Sequence, residues 1–175
     1  MLAIDKTGYL LPVFFSVTVH EIAHLITMWI LSCQPKQINL IPGSIQIIRG
    51  FSYKRNSEVL ISFSGPIANL LLFCVFIINY YAFNANTSLN YAAINLILAL
   101  FNLLPVRGLD GGTILYHILL KIKDGSKANV IINICTIVLS FFAIFIGIIL
   151  FINGKINYSL IILGLYFLLS LSFKI

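Results

Sequence analysis

Residues from about 8 to 32 form an apolar run, and similar runs recur along the chain with only short polar links between them. A helix rising 1.5 Å per residue needs about 20 such residues to cross a hydrocarbon core of about 30 Å. The chain is therefore expected to fold inside a lipid bilayer. Composition agrees: 60% of its 175 residues are hydrophobic and 9% are charged, against about 25% charged in a soluble domain. That length accommodates one small membrane domain, residues 1–175, with a core at about 8–125 and further apolar helices at about 128–173. It leaves no room for a separate soluble domain.

The expected architecture is an all-α, multi-pass membrane bundle of about five transmembrane helices with a small membrane-associated β-hairpin. The first helix covers about residues 8 to 32. Between Gln34 and Tyr53, Ile38 and Leu40 precede Pro42-Gly43, and Ile45 and Ile47 follow it; period-two alternation about a turn dipeptide predicts a hairpin. A second helix runs from about Glu58 to Phe83, and Asn84 to Asn90 are expected to form a loop. The third helix begins near Tyr91 and is broken by Pro105, Gly108, Gly111 and Gly112 before apolar sequence resumes through Leu120. Segments of about 128–152 and 157–173, parted by Asn153-Gly154-Lys155, complete the five.

The formal net charge is +6. Lys36, Arg49, Lys54 and Arg55 follow the first helix, and Lys121, Lys123 and Lys127 follow the third, so the basic balance describes membrane topology and not nucleic-acid binding. By the positive-inside rule the hairpin and the carboxyl terminus are cytoplasmic and the amino terminus is outside. Cys33, Cys74 and Cys135 are odd in number and far apart, which supports neither a disulfide framework nor a cysteine metal site. The first segment holds His20, Glu21 and His24, unlike a disposable signal peptide, and is expected to remain in the mature protein.

His20-Glu21-Ile22-Ala23-His24 carries the chemistry. Positions i and i+4 share a helical face, so both imidazoles can reach one zinc ion, with Glu21 beside it. That carboxylate could take a proton from zinc-activated water and pass it to a leaving amine. Ionisable groups within a span cost on the order of 2.5 to 3.5 kcal/mol on insertion scales, which argues against a chance placement. A catalytic zinc usually takes three protein ligands. Asp110, at the helix break, is the best candidate for the third; a surface role for an Asp-Gly pair at a helix end is the alternative. His117 is a further candidate, although its position in an apolar run fits a packed or lipid-edge histidine better. Asn69 and Asn102 are candidate substrate-orienting or oxyanion-stabilising groups, each also readable as a helix-helix hydrogen bond. Arg107 is read as an anchor outside the catalytic set. His and carboxylate ligands suit zinc, while iron or cobalt could fill the same geometry.

The clusters His20 to His24, Ser64 to Asn69 and Asn102 to Gly112, in that order, resemble the HExxH, small-residue and NxxPxxxxDGG motifs of the site-2 protease family, peptidase family M50. The resemblance covers about residues 10 to 125. It implies His20, His24 and Asp110 as zinc ligands, Glu21 as catalytic acid and base, Asn102 as a substrate-positioning group, and a hairpin that holds substrate as an added strand. Asn-Leu-Leu-Pro followed by Leu-Asp-Gly-Gly looks most like the bacterial sporulation branch, stage IV sporulation protein FB, which activates a precursor sigma factor. The helix usually found before the HExxH helix and the carboxyl-terminal CBS domain have no counterpart in this sequence, so the resemblance carries the protease and not the pathway.

The functional expectation is an intramembrane zinc endopeptidase of a bacterial cytoplasmic membrane, acting on membrane-tethered or transmembrane proteins. Its partners would be that substrate and the lipid bilayer, with no nucleic acid and with homo-oligomerisation left open. The alternative is a catalytically inactive metal-binding membrane protein, either a transporter or a regulator of partner helices. A transporter should spread ionisable residues through several helices, whereas here they gather on two segments.

Overall fold

The computed structural model describes residues 8–32, 35–41, 44–49, 55–153 and 158–172, the two middle short stretches as backbone alone. The element order is α1 (Leu10–Ile30), β1 (Pro35–Ile41), β2 (Ser44–Arg49), α2 (Arg55–Phe83), α3 (Asn86–Asn102), α4 (Asp110–Leu119), α5 (Gly125–Ile152) and α6 (Ser159–Ser170). The chain divides into two compact units, Met1–Leu103 and Leu104–Ile175.

In the first unit α1 packs on α2 and α3, and α2 packs on α3. The buried residues of α1 are Pro12, Ser16, His20, His24 and Met28, a stripe repeating every four residues along one face. Around it Leu11, Phe14, Trp29 and Ile30 are exposed. Polar side chains inside and large apolar ones outside is the arrangement expected when the surrounding solvent is hydrocarbon. Strands β1 and β2 pair antiparallel, with Ile38 opposite Ile47 and Leu40 opposite Ile45, and an irregularity between Pro35 and Gln37. The Pro42-Gly43 turn lies outside the described residues.

The expected loop at Asn84 to Asn90 is corrected to two residues. Asn84 adopts a positive φ of 52°, a left-handed conformation that asparagine tolerates at a helix end. The Ser88 amide then donates to the Ala85 carbonyl at 2.8 Å, and the Asn/Thr/Ser run opens α3 instead of linking to it.

In the second unit α4 packs on α5, and α5 on α6. Small residues allow the α5–α6 approach: a Cβ on Gly164 would lie 2.8 Å from the Ser140 carbonyl oxygen, and one on Gly147 would lie 2.7 Å from Ile161. Before α4, Pro105 and Gly108 break the helical ladder, and Gly108 takes a φ of 90°, which a residue without a Cβ adopts at no steric cost. The Val106 carbonyl accepts from Leu109 at 3.1 Å. A Cβ on Gly112 would lie 2.7 Å from the Val106 carbonyl carbon, so glycine there lets α4 start against the turn.

The described helices support three of the five expected spans. Three of the described helices are long and apolar enough to cross a membrane: Leu10–Ile30, Asn56–Phe83 and Gly125–Ile152. Pro105 and Gly108 split the expected third span into α3, of 17 residues, and α4, of 10. The α6 helix has 12 residues; at 1.5 Å each, α4 and α6 fall well short of a core of about 30 Å, and α3 sits at the lower limit of spanning length. The Gly154-Lys155 part of the expected link before α6 lies outside the described residues. Of the cysteines, Cys74 is exposed and Cys135 half-buried, both as free thiols; Cys33 is outside the described residues.

Candidate metal centre

His20 and His24 are buried on the inner stripe of α1, and Glu21 beside them is half-buried. The Nδ1 atom of His20 lies 2.6 Å from the Asn69 side-chain oxygen. That of His24 lies 2.7 Å from the Ile61 carbonyl oxygen, with the Ser64 hydroxyl at 3.3 Å. An amide oxygen and a backbone carbonyl can only accept, so each Nδ1 carries the proton and donates it. Both Nε2 atoms then bear lone pairs, and they stand 3.1 Å apart with the rings at 82°.

Two lone pairs aimed at each other repel unless an electron-poor centre lies against both. Nitrogens bound to one tetrahedral zinc at 2.0 to 2.1 Å would be about 3.3 Å apart. The observed spacing is close to that value, and an Nδ1–H donated to an oxygen is the usual support for a zinc-binding histidine. The histidine pair therefore fits a zinc ion by donor chemistry as well as by spacing.

Helix α2 makes room for this arrangement. Pro66 removes one backbone donor and loosens the ladder at this turn. Gly65 faces the two rings directly: a Cβ there would meet His24 Nε2, and would lie 2.6 Å from both Cε1 and Nε2 of His20. The small-residue cluster thus leaves open the space in front of the ligand nitrogens.

Asp110 is the first residue of α4 and is half-buried. It opens the first helix of the second unit, where the Asn102 to Gly112 cluster ends. His117, the alternative third ligand, is half-buried in the last turn of the same helix.

The two asparagines differ. Asn69 is fully buried, accepts from His20, and donates to the Ser16 carbonyl at 3.2 Å and to the Asn95 side-chain oxygen at 2.7 Å. Its amide thus bonds groups on two neighbouring helices, as in the helix-helix hydrogen-bond reading of this residue. Asn102 ends α3, is half-buried, and donates to the Leu98 carbonyl at 3.1 Å. Arg107 is buried, its Nε 3.0 Å from the Asn133 side-chain oxygen and its Nη2 2.8 Å from that of Asn129. It is tied to α5.

Sequence reasoning passed over Asn95, Asn129 and Asn133. A signal was present: each is an amide within an otherwise apolar helix, where an unbonded polar group is costly. What each would bond to was not legible in one dimension.

Residues 81–147 match Peptidase family M50, a stretch that contains Asn102 and Asp110. Among solved structures the chain is similar to the site-2 protease from Methanocaldococcus jannaschii, with 25% identity and a TM-score of 0.72 over 92% of this chain and 74% of that one. Among curated proteins, none matches the sequence. The family match and the structural likeness together support a zinc metalloprotease of the site-2 type.

Proposed function

We propose that this chain is an intramembrane endopeptidase in which His20, His24 and Asp110 hold the zinc ion, Glu21 is the acid and base, and the substrate is a membrane-tethered or transmembrane protein. The observation that carries this reading is the pair of imidazoles whose Nε2 lone pairs face each other at 3.1 Å while both Nδ1 protons are donated elsewhere. The place of Asp110 in the Asn102 to Gly112 cluster, which resembles the family's NxxPxxxxDGG motif, supports the third ligand. When bound, zinc supplies Lewis-acid polarisation of water and of the scissile carbonyl.

The protein's own residues do the rest. Glu21 accepts the proton of the attacking water and returns it to the leaving amine as the peptide bond breaks. Asn102 orients the substrate backbone through a neutral amide. Asn69 keeps His20 in the metal-binding tautomer and is removed from the reacting groups. An extended substrate segment would pair with the sheet formed by β1 and β2, and main-chain bonding of that kind unwinds a helix locally before cleavage.

The distribution of Lys and Arg supports a cytoplasmic carboxyl terminus, and the resemblance to the sporulation branch supports a bacterial membrane. A sporulation role with a precursor sigma factor as substrate rests on the Asn-Leu-Leu-Pro and Leu-Asp-Gly-Gly resemblance alone. The test is coexpression with candidate single-span substrates. Glu21→Gln is expected to retain zinc and to lose cleavage by at least about 100-fold, and Asp110→Ala to lose zinc on purification. Undiminished cleavage by Glu21→Gln would rule out the mechanism, and zinc transport into vesicles without cleavage would favour the transporter reading.

A further inference from the structure

The histidine pair is served by a hydrogen-bond relay whose far end is on α3. The side-chain nitrogen of Asn95 donates to the Tyr91 carbonyl at 2.8 Å, one turn earlier on the same helix. A backbone carbonyl can only accept, so this contact fixes which end of the Asn95 amide is which. Its oxygen must face Asn69, where it accepts from the Asn69 nitrogen at 2.7 Å. The second N–H of Asn69 is fixed in the same way, by the Ser16 carbonyl at 3.2 Å. The Asn69 oxygen is then the end left to face His20 Nδ1 at 2.6 Å. Every donation runs in one direction, from His20 through Asn69 and Asn95 to Tyr91. Asn69 and Asn95 are both fully buried, so water does not compete for these bonds, and reversing one amide would set donor against donor or acceptor against acceptor.

We infer that Asn95 is a positioning residue for the metal centre: by fixing the orientation of the Asn69 amide, it holds the His20 proton on Nδ1 and keeps the Nε2 lone pair available to the metal. This rests on the proposed role of His20 as a ligand. Without Asn95, Asn69 keeps one of two directional anchors. Its amide can then rotate to offer N–H to His20 Nδ1, which moves the ring proton to Nε2, where it blocks coordination. Supporting groups of this kind typically contribute 10- to 100-fold to metal affinity.

A double-mutant cycle on zinc affinity tests the relay, using the full-length protein in detergent micelles with zinc as the probe and helicity as a check on folding. Asn95→Leu is expected to weaken zinc binding about 10- to 100-fold. Asn69→Ala should weaken it to a similar extent, and the double variant should be no weaker than Asn69→Ala, because Asn95 acts only through Asn69. Losses that add would overturn the inference, as would an Asn95→Leu protein that binds zinc like the wild type. If Asn95→Leu does not fold, Asn95→Ala, which leaves space instead of adding branched bulk, carries the same expectation. A wild-type protein that binds no zinc would instead refute the ligand assignment, and the relay with it. In metal-free wild type in mildly alkaline buffer, where an ordinary histidine is neutral, ¹⁵N resonances should show the His20 proton on Nδ1; finding it on Nε2 would overturn the relay directly.

Discussion

At the scale of single residues, the site depends on what is missing as much as on what is present. Gly65 contributes no side chain, and a Cβ there would fall on the ligand nitrogens of both histidines. Gly65→Ala is therefore expected to weaken zinc binding by more than about 100-fold, beyond the usual effect of a supporting group, while α2 stays helical, since alanine favours a helix over glycine. Metal analysis alongside circular dichroism checks both halves of the expectation. Sequence alone placed His20, Glu21 and His24 together because their relation is one turn of helix. It did not indicate that Gly65 faces them, because that relation crosses 41 residues and depends on how α1 and α2 pack.

At the scale of elements, helices here are joined by buried amides and glycines, since lipid offers apolar side chains no incentive to leave it. Arg107 illustrates this: its guanidinium bonds Asn129 and Asn133 one turn apart on α5, and its backbone N–H donates to Thr136 at 2.9 Å. Hydrogen bonds to a charged group contribute about 1.5 to 3 kcal/mol each. Arg107→Leu should thus lower unfolding stability in detergent by at least about 2 kcal/mol, measured by chemical denaturation, and an unchanged midpoint would remove this role. The α5–α6 contact depends on Gly164, where an added Cβ would press on Ser140 and Ile144. Gly164→Val should loosen that pair, at about 1 to 3 kcal/mol for overpacking, which thermal unfolding would register. Apolar length foretold the long helices, but the short polar segment after α2 misled, because Asn, Thr and Ser open helices as readily as they form loops.

At the scale of the whole molecule, the exposed apolar surface and the buried polar stripes describe a protein adapted to hydrocarbon. If a zinc ion binds the folded state and not the unfolded one, it stabilises by about 2.7 kcal/mol at a free concentration 100 times its dissociation constant. Removing it with a chelator should lower the thermal midpoint and stop proteolysis, and added zinc should restore both. A midpoint indifferent to the chelator would count against a resident metal.

The sequence by itself determined the solvent, the helical class and the identity of the chemistry, because each rests on local facts: apolar length, helical periodicity, and two histidines one turn apart. Only the tertiary structure decided that Asn69 bonds His20, that Asn95 stands behind it, that Gly65 faces the two rings, and that three of the described helices have spanning length. Those outcomes depend on which buried donor meets which acceptor and on where proline and glycine end a helix, and such pairings are fixed only when separate segments pack together.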